Sequence, residues 1–169
     1  DKKLNKFKQS QEATIEEKQS AINELEQALK SAINHIHQSQ NNESVSAALK
    51  ESISLIDSIE IQAHKKLEAK AYIDGYSDDK INDISSRATN EEKQIFVSKL
   101  KALINRAHKQ IDEAETFVSV ETIVRNFKVE ADKLNSIVRK KAKALKEIEL
   151  EADHVKQMIN TNLSASTRV

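Results

Sequence analysis

The sequence predicts an all-α chain of two tandem three-helix bundles forming an elongated rod, and three observations predict it. One Gly and no Pro in 169 residues leave almost nothing to punctuate tight turns. A content of 32% charged and 38% apolar residues suits amphipathic helices of modest hydrophobicity. The chain also repeats itself. Ala13-Thr14-Ile15-Glu16-Glu17-Lys18-Gln19 returns as Ala88-Thr89-Asn90-Glu91-Glu92-Lys93-Gln94, and 18 of 75 positions are identical at that spacing without a gap.

The repeat divides the chain into two units, 13–87 and 88–162. Residues 1–12 read as the end of a preceding unit, and 163–169, with Leu163-Ser164-Ala165-Ser166, as the start of the next. Each unit opens on a capping box. Thr14 or Thr89 caps the helix, and Glu17 or Glu92 three residues on reaches back to the cap's N–H. Ile15, Ile22, Leu29 and Ile36 then recur every seven residues, with Leu25 and Ala32 between them, so the first helix runs from Thr14 to about Gln40. Val97, Ile104 and Ile111 repeat the stripe in the second unit.

After the polar break Gln40-Asn41-Asn42-Glu43, a second helix begins at Ser44 or Ser119. Its apolar faces carry Val45, Leu49, Ile53 and Ile56, and Val120, Val124, Phe127 and Ala131. A weaker break near Glu60-Ile61-Gln62 and Asn135-Ser136 precedes the third stripe, Val138, Ala142, Leu145, Ile148, Ala152, Val155 and Ile159. In the first unit Asp74-Gly75-Tyr76 occupies the register of a plainly helical stretch. The helix therefore continues through Gly75 at a cost of about 1 kcal/mol relative to Ala, with a break there as the alternative. The junction Ile84-Ser85-Ser86-Arg87-Ala88-Thr89 has no flexible linker, which favours a rod.

Function classes fall away on the same composition. Without Cys there is no disulfide framework, thiolate nucleophile or thiolate metal site, and a single Gly cannot build a phosphate-cradling loop. No run reaches the roughly 18 apolar residues of a membrane span, and Asp1-Lys2-Lys3 does not open a signal peptide. His35 and His37 point to different sides of a helix and cannot share a metal. His64 with Glu68 and His108 with Asp112 have i,i+4 spacing, yet neither pair has a third ligand nor recurs in the other unit, so no metal or cofactor is expected. Ser98-Lys99-Leu100-Lys101 matches a Ser-x-x-Lys nucleophile pattern without its companion motifs. The chain is read as no enzyme. Tyr72 and Tyr76 lie one turn apart, as a contact patch or as packing beside Gly75.

The basic run Arg139-Lys140-Lys141-Ala142-Lys143-Ala144-Leu145-Lys146 has no interleaved aromatic for base stacking and is followed by Glu147, Glu149 and Glu151. It reads as a solvated helix face rather than a specific nucleic-acid site. The first unit carries a net charge of −5 (8 basic, 13 acidic) and the second +2 (14 basic, 12 acidic).

The opening Ala-Thr-x-Glu-Glu-Lys-Gln, the helix ends Ile36-His37 and Ile111-Asp112, the Val-led second helix and the Lys-Lys third helix together resemble a known family. They are similar to the tandem helical repeats of staphylococcal cell-wall-anchored surface proteins, catalogued as a domain of unknown function and found in biofilm and matrix-binding adhesins. The resemblance implies a cell-surface location, with anchoring to the wall through a C-terminal region outside these residues. It also implies a stalk that projects an adhesive domain and supports cell adhesion, aggregation or biofilm formation. The expected partners are neighbouring repeats of the same chain, with a host extracellular protein or like molecules on other cells as further candidates. An alternative is a host-protein-binding three-helix module for albumin, immunoglobulin or a matrix protein. Phe117 and Val118 are its candidate contacts, although the first unit has Asn42 and Glu43 there. A coiled-coil or spectrin-like spacer, dimerising through the first-helix heptads, is the third reading.

Overall fold

Residues 10–167 are described by the structure, a computed structural model. The expected end of a preceding repeat, 1–12, lies largely outside them, as does the end of 163–169. In chain order the helices are α1 (Ile15–Gln38), α2 (Asn42–Ser58), α3 (Lys65–Ile84), α4 (Asn90–Glu113), α5 (Phe117–Lys133), a 3₁₀ turn (Leu134–Ile137) and α6 (Lys140–Thr167). There is no strand among the described residues. The repeat holds to the residue. α1 and α4 both have 24 residues, α2 and α5 both have 17, and α1, α2 and α3 each start 75 residues before α4, α5 and α6.

Side chains, rather than turn residues, start these helices. Thr14 and Thr89 form the expected capping boxes with Glu17 and Glu92. The second helices start two residues before the expected Ser44 and Ser119. Their caps are Asn41 and Thr116, and the two serines sit at the third helical position, returning a hydrogen bond to the cap N–H. A serine there does the work usually given to Glu or Gln, which is why its position reads as a start in the sequence.

α3 is continuous through Gly75, as the register argument requires. A methyl group added at Gly75 would have nothing within 4 Å, so the residue fills no packing need.

The bundle closes in a phase different from the units 13–87 and 88–162. α3 packs on α4 and α5, around Ile73, Ile84, Phe96, Leu100, Ile111 and Val120, all essentially inaccessible to solvent. The closed bundle thus spans 65–137. The segment read as the third helix of the first unit is the first helix of the packed body. Of the 138–162 segment, Val138 packs against that body, while 140–162, in α6, stands apart from it with its side chains exposed. α1 and α2 pack on each other as a hairpin around Ala21 and Ile59, a much smaller core. A sequence period fixes a length but no origin.

Gly75→Ala should stabilise the bundle by up to about 1 kcal/mol, because Ala restrains the unfolded chain and meets open space in the helix. Urea unfolding followed by far-UV circular dichroism checks this; a loss of stability would show that α3 needs the glycine.

Candidate functional site at the repeat junction

The residues that recur with the repeat converge where one helical unit meets the next. Glu17 uses one carboxylate oxygen for its own helix, accepting from the Thr14 N–H at 3.0 Å and the Thr14 hydroxyl at 2.9 Å. Its other oxygen accepts from the backbone N–H groups of His64 (2.7 Å) and Lys65 (3.0 Å), at the start of α3. Glu92 does the same one repeat later. It accepts from the Thr89 N–H at 2.9 Å and from the N–H groups of Arg139 (2.9 Å) and Lys140 (3.0 Å), at the start of α6. One carboxylate thus caps two helices whose starts lie about 50 residues apart. A negative charge at two helix N-termini also meets the positive end of two macrodipoles.

The electrostatics follow this geometry. The N–H groups of Arg139, Thr89 and Lys140 hold the Glu92 carboxyl down at about 2. Burial pushes the Glu17 carboxyl up, but the N–H groups of Thr14, Lys65 and His64 outweigh it, and the group sits below its ordinary range.

A lysine closes the junction from the other side. Lys66 is buried, and its Nζ donates to the carbonyls of Gln11 (3.0 Å) and Asp112 (2.9 Å), the latter at the C-terminal end of α4. Burial pulls its ammonium below the usual lysine value, opposed by the nearby Asp112 charge. Lys141, one repeat on, donates to the carbonyl of Ser86 at 3.2 Å, the position that matches Gln11. The α1 start also touches the α4–α5 turn. The Ile15 N–H donates to the Glu115 carbonyl at 2.7 Å, and the Phe117 N–H donates to the Glu16 carboxylate at 2.9 Å.

These contacts fix a polarity. α1 starts, α2 returns and α3 begins at the α4–α5 turn, so the α1–α2 hairpin extends from one end of the bundle. α6 begins at Glu92, at the other end, one α4 length of about 36 Å away.

The residues singled out in the sequence mostly go elsewhere. His35 and His37 are exposed on α1. His64 contributes its backbone N–H to Glu17 and its ring to Gln62 rather than to Glu68. His108 pairs with Asp74 at 2.9 Å, and Asp112 pairs with Lys70, so that i,i+4 pair is divided between two partners on α3. Among the described residues no three His, Cys, Asp or Glu side chains converge. Ser98 and Lys101 are exposed on α4.

Tyr72 and Tyr76 stack with ring centroids 6.1 Å apart. Tyr76 meets Phe127 edge-on, Lys128 lies over both tyrosine rings, and the Tyr76 hydroxyl donates to Asp132. That hydrogen bond, then burial, raises the Tyr76 phenol to about 12. The pair belongs to the α3–α5 contact. The basic run opens α6, with Arg139 and Lys140 held by backbone at Glu92 and their side chains exposed. Phe117 is half-buried beneath Lys65, while Val118 is 70% exposed.

The second duty of Glu17 and Glu92, and the burial of Lys66, were missed in the sequence. The signal available was identity across the repeat: Glu17/Glu92 together with Lys65-Lys66/Lys140-Lys141.

Compared with known proteins, the chain matches the family model described as Domain of Unknown Function (DUF1542) twice in tandem, over residues 1–64 and 65–137. The second match coincides with the closed bundle. No curated protein and no solved structure matches it.

Because the Glu92 carboxyl is depressed in the folded chain, its stabilising contribution is complete above the ordinary carboxylate value of 4.5 and is lost as pH falls through the interval down to about 2. Hydrogen exchange at the Arg139 and Lys140 amides should therefore show lower protection in Glu92→Gln than in the parent at neutral pH. The parent should approach the variant on acidification. Equal protection in both proteins would remove Glu92 from the α6 cap.

Proposed function

We infer, for a chain that belongs to the DUF1542 family of repeats found in staphylococcal surface proteins, that its work is structural: it is a length of stalk on the cell surface. It projects an adhesive region away from a wall to which another part of the protein is attached, and in that way supports adhesion, aggregation or biofilm formation. Catalysis plays no part in this reading. Its immediate partners are its own neighbouring repeats.

The observation that carries the reading is the recurrence of the shared carboxylate. The same cap joins α1 to α3 and α4 to α6, at opposite ends of the bundle, so repetition adds length along one direction. The chain exposes 12532 Å², whereas a compact monomer of 19.1 kDa would expose about 8,400 Å². A host-protein-binding module finds less support. The half-buried Phe117 and exposed Val118 have Asn42 and Glu43 as their counterparts, so no such patch repeats.

Small-angle X-ray scattering tests the stalk. A particle of one chain's mass with a maximum dimension of roughly 100 Å, from helical lengths of about 36 to 42 Å laid end to end, is expected. A compact monomer of half that dimension would overturn it.

A further inference from the structure

The fully buried side chains of the closed bundle do little to tell its own third helix from that helix's repeat. α3 buries Ala69, Ile73 and Ile84 against α4 and α5, and α6 has Ala144, Ile148 and Ile159 at the same positions. The rim around that core is different. Lys65 pairs with Glu121 at 2.9 Å, Lys70 with Asp112, Asp74 with His108 at 2.9 Å and Lys80 with Asp132 at 2.7 Å. Lys128 lies over Tyr72 and Tyr76, and the Tyr76 hydroxyl donates to Asp132. At these six rim positions α6 has Lys140, Leu145, Glu147, Glu149, Glu151 and Val155.

The charges reverse with the helix. The α3 rim holds three cations and one carboxylate, a net +2, and it faces Glu121, Asp112 and Asp132 with Lys128, a net −2 with His108 neutral. The α6 residues hold one cation and three carboxylates, a net −2. Counting Glu68, which borders the α3–α5 crevice, and its counterpart Lys143 gives +1 and −1, so the signs stand. In the place of α3, α6 would keep two pairings, Lys140 with Glu121 and Glu149 with His108, and would bring carboxylates to Lys128. It would leave Asp112 without its cation, and it would offer Asp132 Val155 and Glu151 where α3 gives a cation and a hydroxyl donor. It would also set Lys156 where α3 packs Ile81 against the core.

We infer that the rim selects which helix closes a bundle, with Asp132 as the discriminating residue: the α4–α5 hairpin admits α3 and turns away the α6-type helix of another copy of the chain. Helices with like buried faces are the setting in which repeat proteins exchange parts between units. Selectivity among them rests on a penalty for the wrong helix as much as on a gain with the right one. Here the penalty falls at the rim, since the buried alanine and isoleucines are shared. The inference concerns how a bundle takes its own helix and stands apart from the stalk reading.

The test gives α3, in the whole chain, the residues that α6 would bring to Asp132. Lys80→Val is combined with Tyr76→Glu or with its neutral match Tyr76→Gln, and each pair is made both with Asp132 retained and with Asp132→Lys. Native-state hydrogen exchange at the Ile73 and Phe127 amides, inside the closed bundle, reads its opening equilibrium. With Asp132 retained, the Glu version should be less protected than the Gln version by roughly threefold, and with Asp132→Lys the order should invert by a similar factor. High salt should shrink both differences, because these groups are partly exposed. Should Lys80→Val with Tyr76→Gln lose helicity by circular dichroism, Lys80→Glu against Lys80→Gln makes the same comparison with Tyr76 kept. Equal protection of the Glu and Gln versions, or the same order with either residue at 132, would overturn the inference.

Discussion

A carboxylate has two oxygens, and at Glu17 and Glu92 each serves a different helix. The first oxygen is placed by local geometry, three residues after the cap. The second fixes where a distant helix starts, 47 and 48 residues on. Everything between is constrained by that pairing: a 24-residue helix must go out, a 17-residue helix must return, and a short connection must deliver two N–H groups to the waiting oxygen. A residue inserted in either helix would rotate its apolar stripe by about 100° and displace the delivery point as well. That double requirement accounts for helix boundaries that repeat to the residue although most residues between them differ.

The same logic explains how a chain with one Gly and no Pro makes its turns. Every helix end leaves backbone groups unpaired, and they must find partners. Here side chains supply them: Thr14, Asn41, Thr89 and Thr116 cap N-termini, and Lys66 collects the carbonyls of Gln11 and Asp112. Anionic groups sit at helix starts and an ammonium at a helix end, each matched to the macrodipole there. Burying Lys66 is costly on its own, and its two carbonyl acceptors offset that cost only while both segments are in place. The junction therefore orders three chain segments together, with no linker to loosen them.

How much of this was legible in the sequence depends on the range of the interaction. The all-α class, the period and the Thr-x-x-Glu caps are local patterns, and each is found where the residues place it. Continuity through Gly75 followed from the helical register of its counterpart Leu150, and the structure leaves that glycine exposed with open space around it. The starts of α2 and α5 were read two residues late because Ser44 and Ser119 act as partners of a cap rather than as the cap. The phase of packing was not legible at all, since a periodic sequence has no origin. Lys66 was indistinguishable from its exposed neighbours. Its burial depends on carbonyls contributed by residues 46 and 55 positions away, which no local pattern encodes.

The two hairpins differ in what they bury among the described residues. α1–α2 and α4–α5 share lengths, caps and stripes, yet only α4–α5, covered by α3, encloses large side chains such as Phe96, Leu100 and Ile111. Among the described residues α1–α2 buries mainly alanines and Ile59. The helix that completes a bundle is not started by a cap of its own: it is started by the Glu of the preceding hairpin. Each hairpin thus positions the helix on which the next bundle is built, and that bundle in return holds the hairpin through Lys66, Glu16 and the Glu115 carbonyl. Stability in such an array belongs to neighbouring pairs rather than to single units, as expected for a one-dimensional series with strong interface terms. Stiffness along the axis then has one cause, the displacement of the packing unit from the hairpin that starts it.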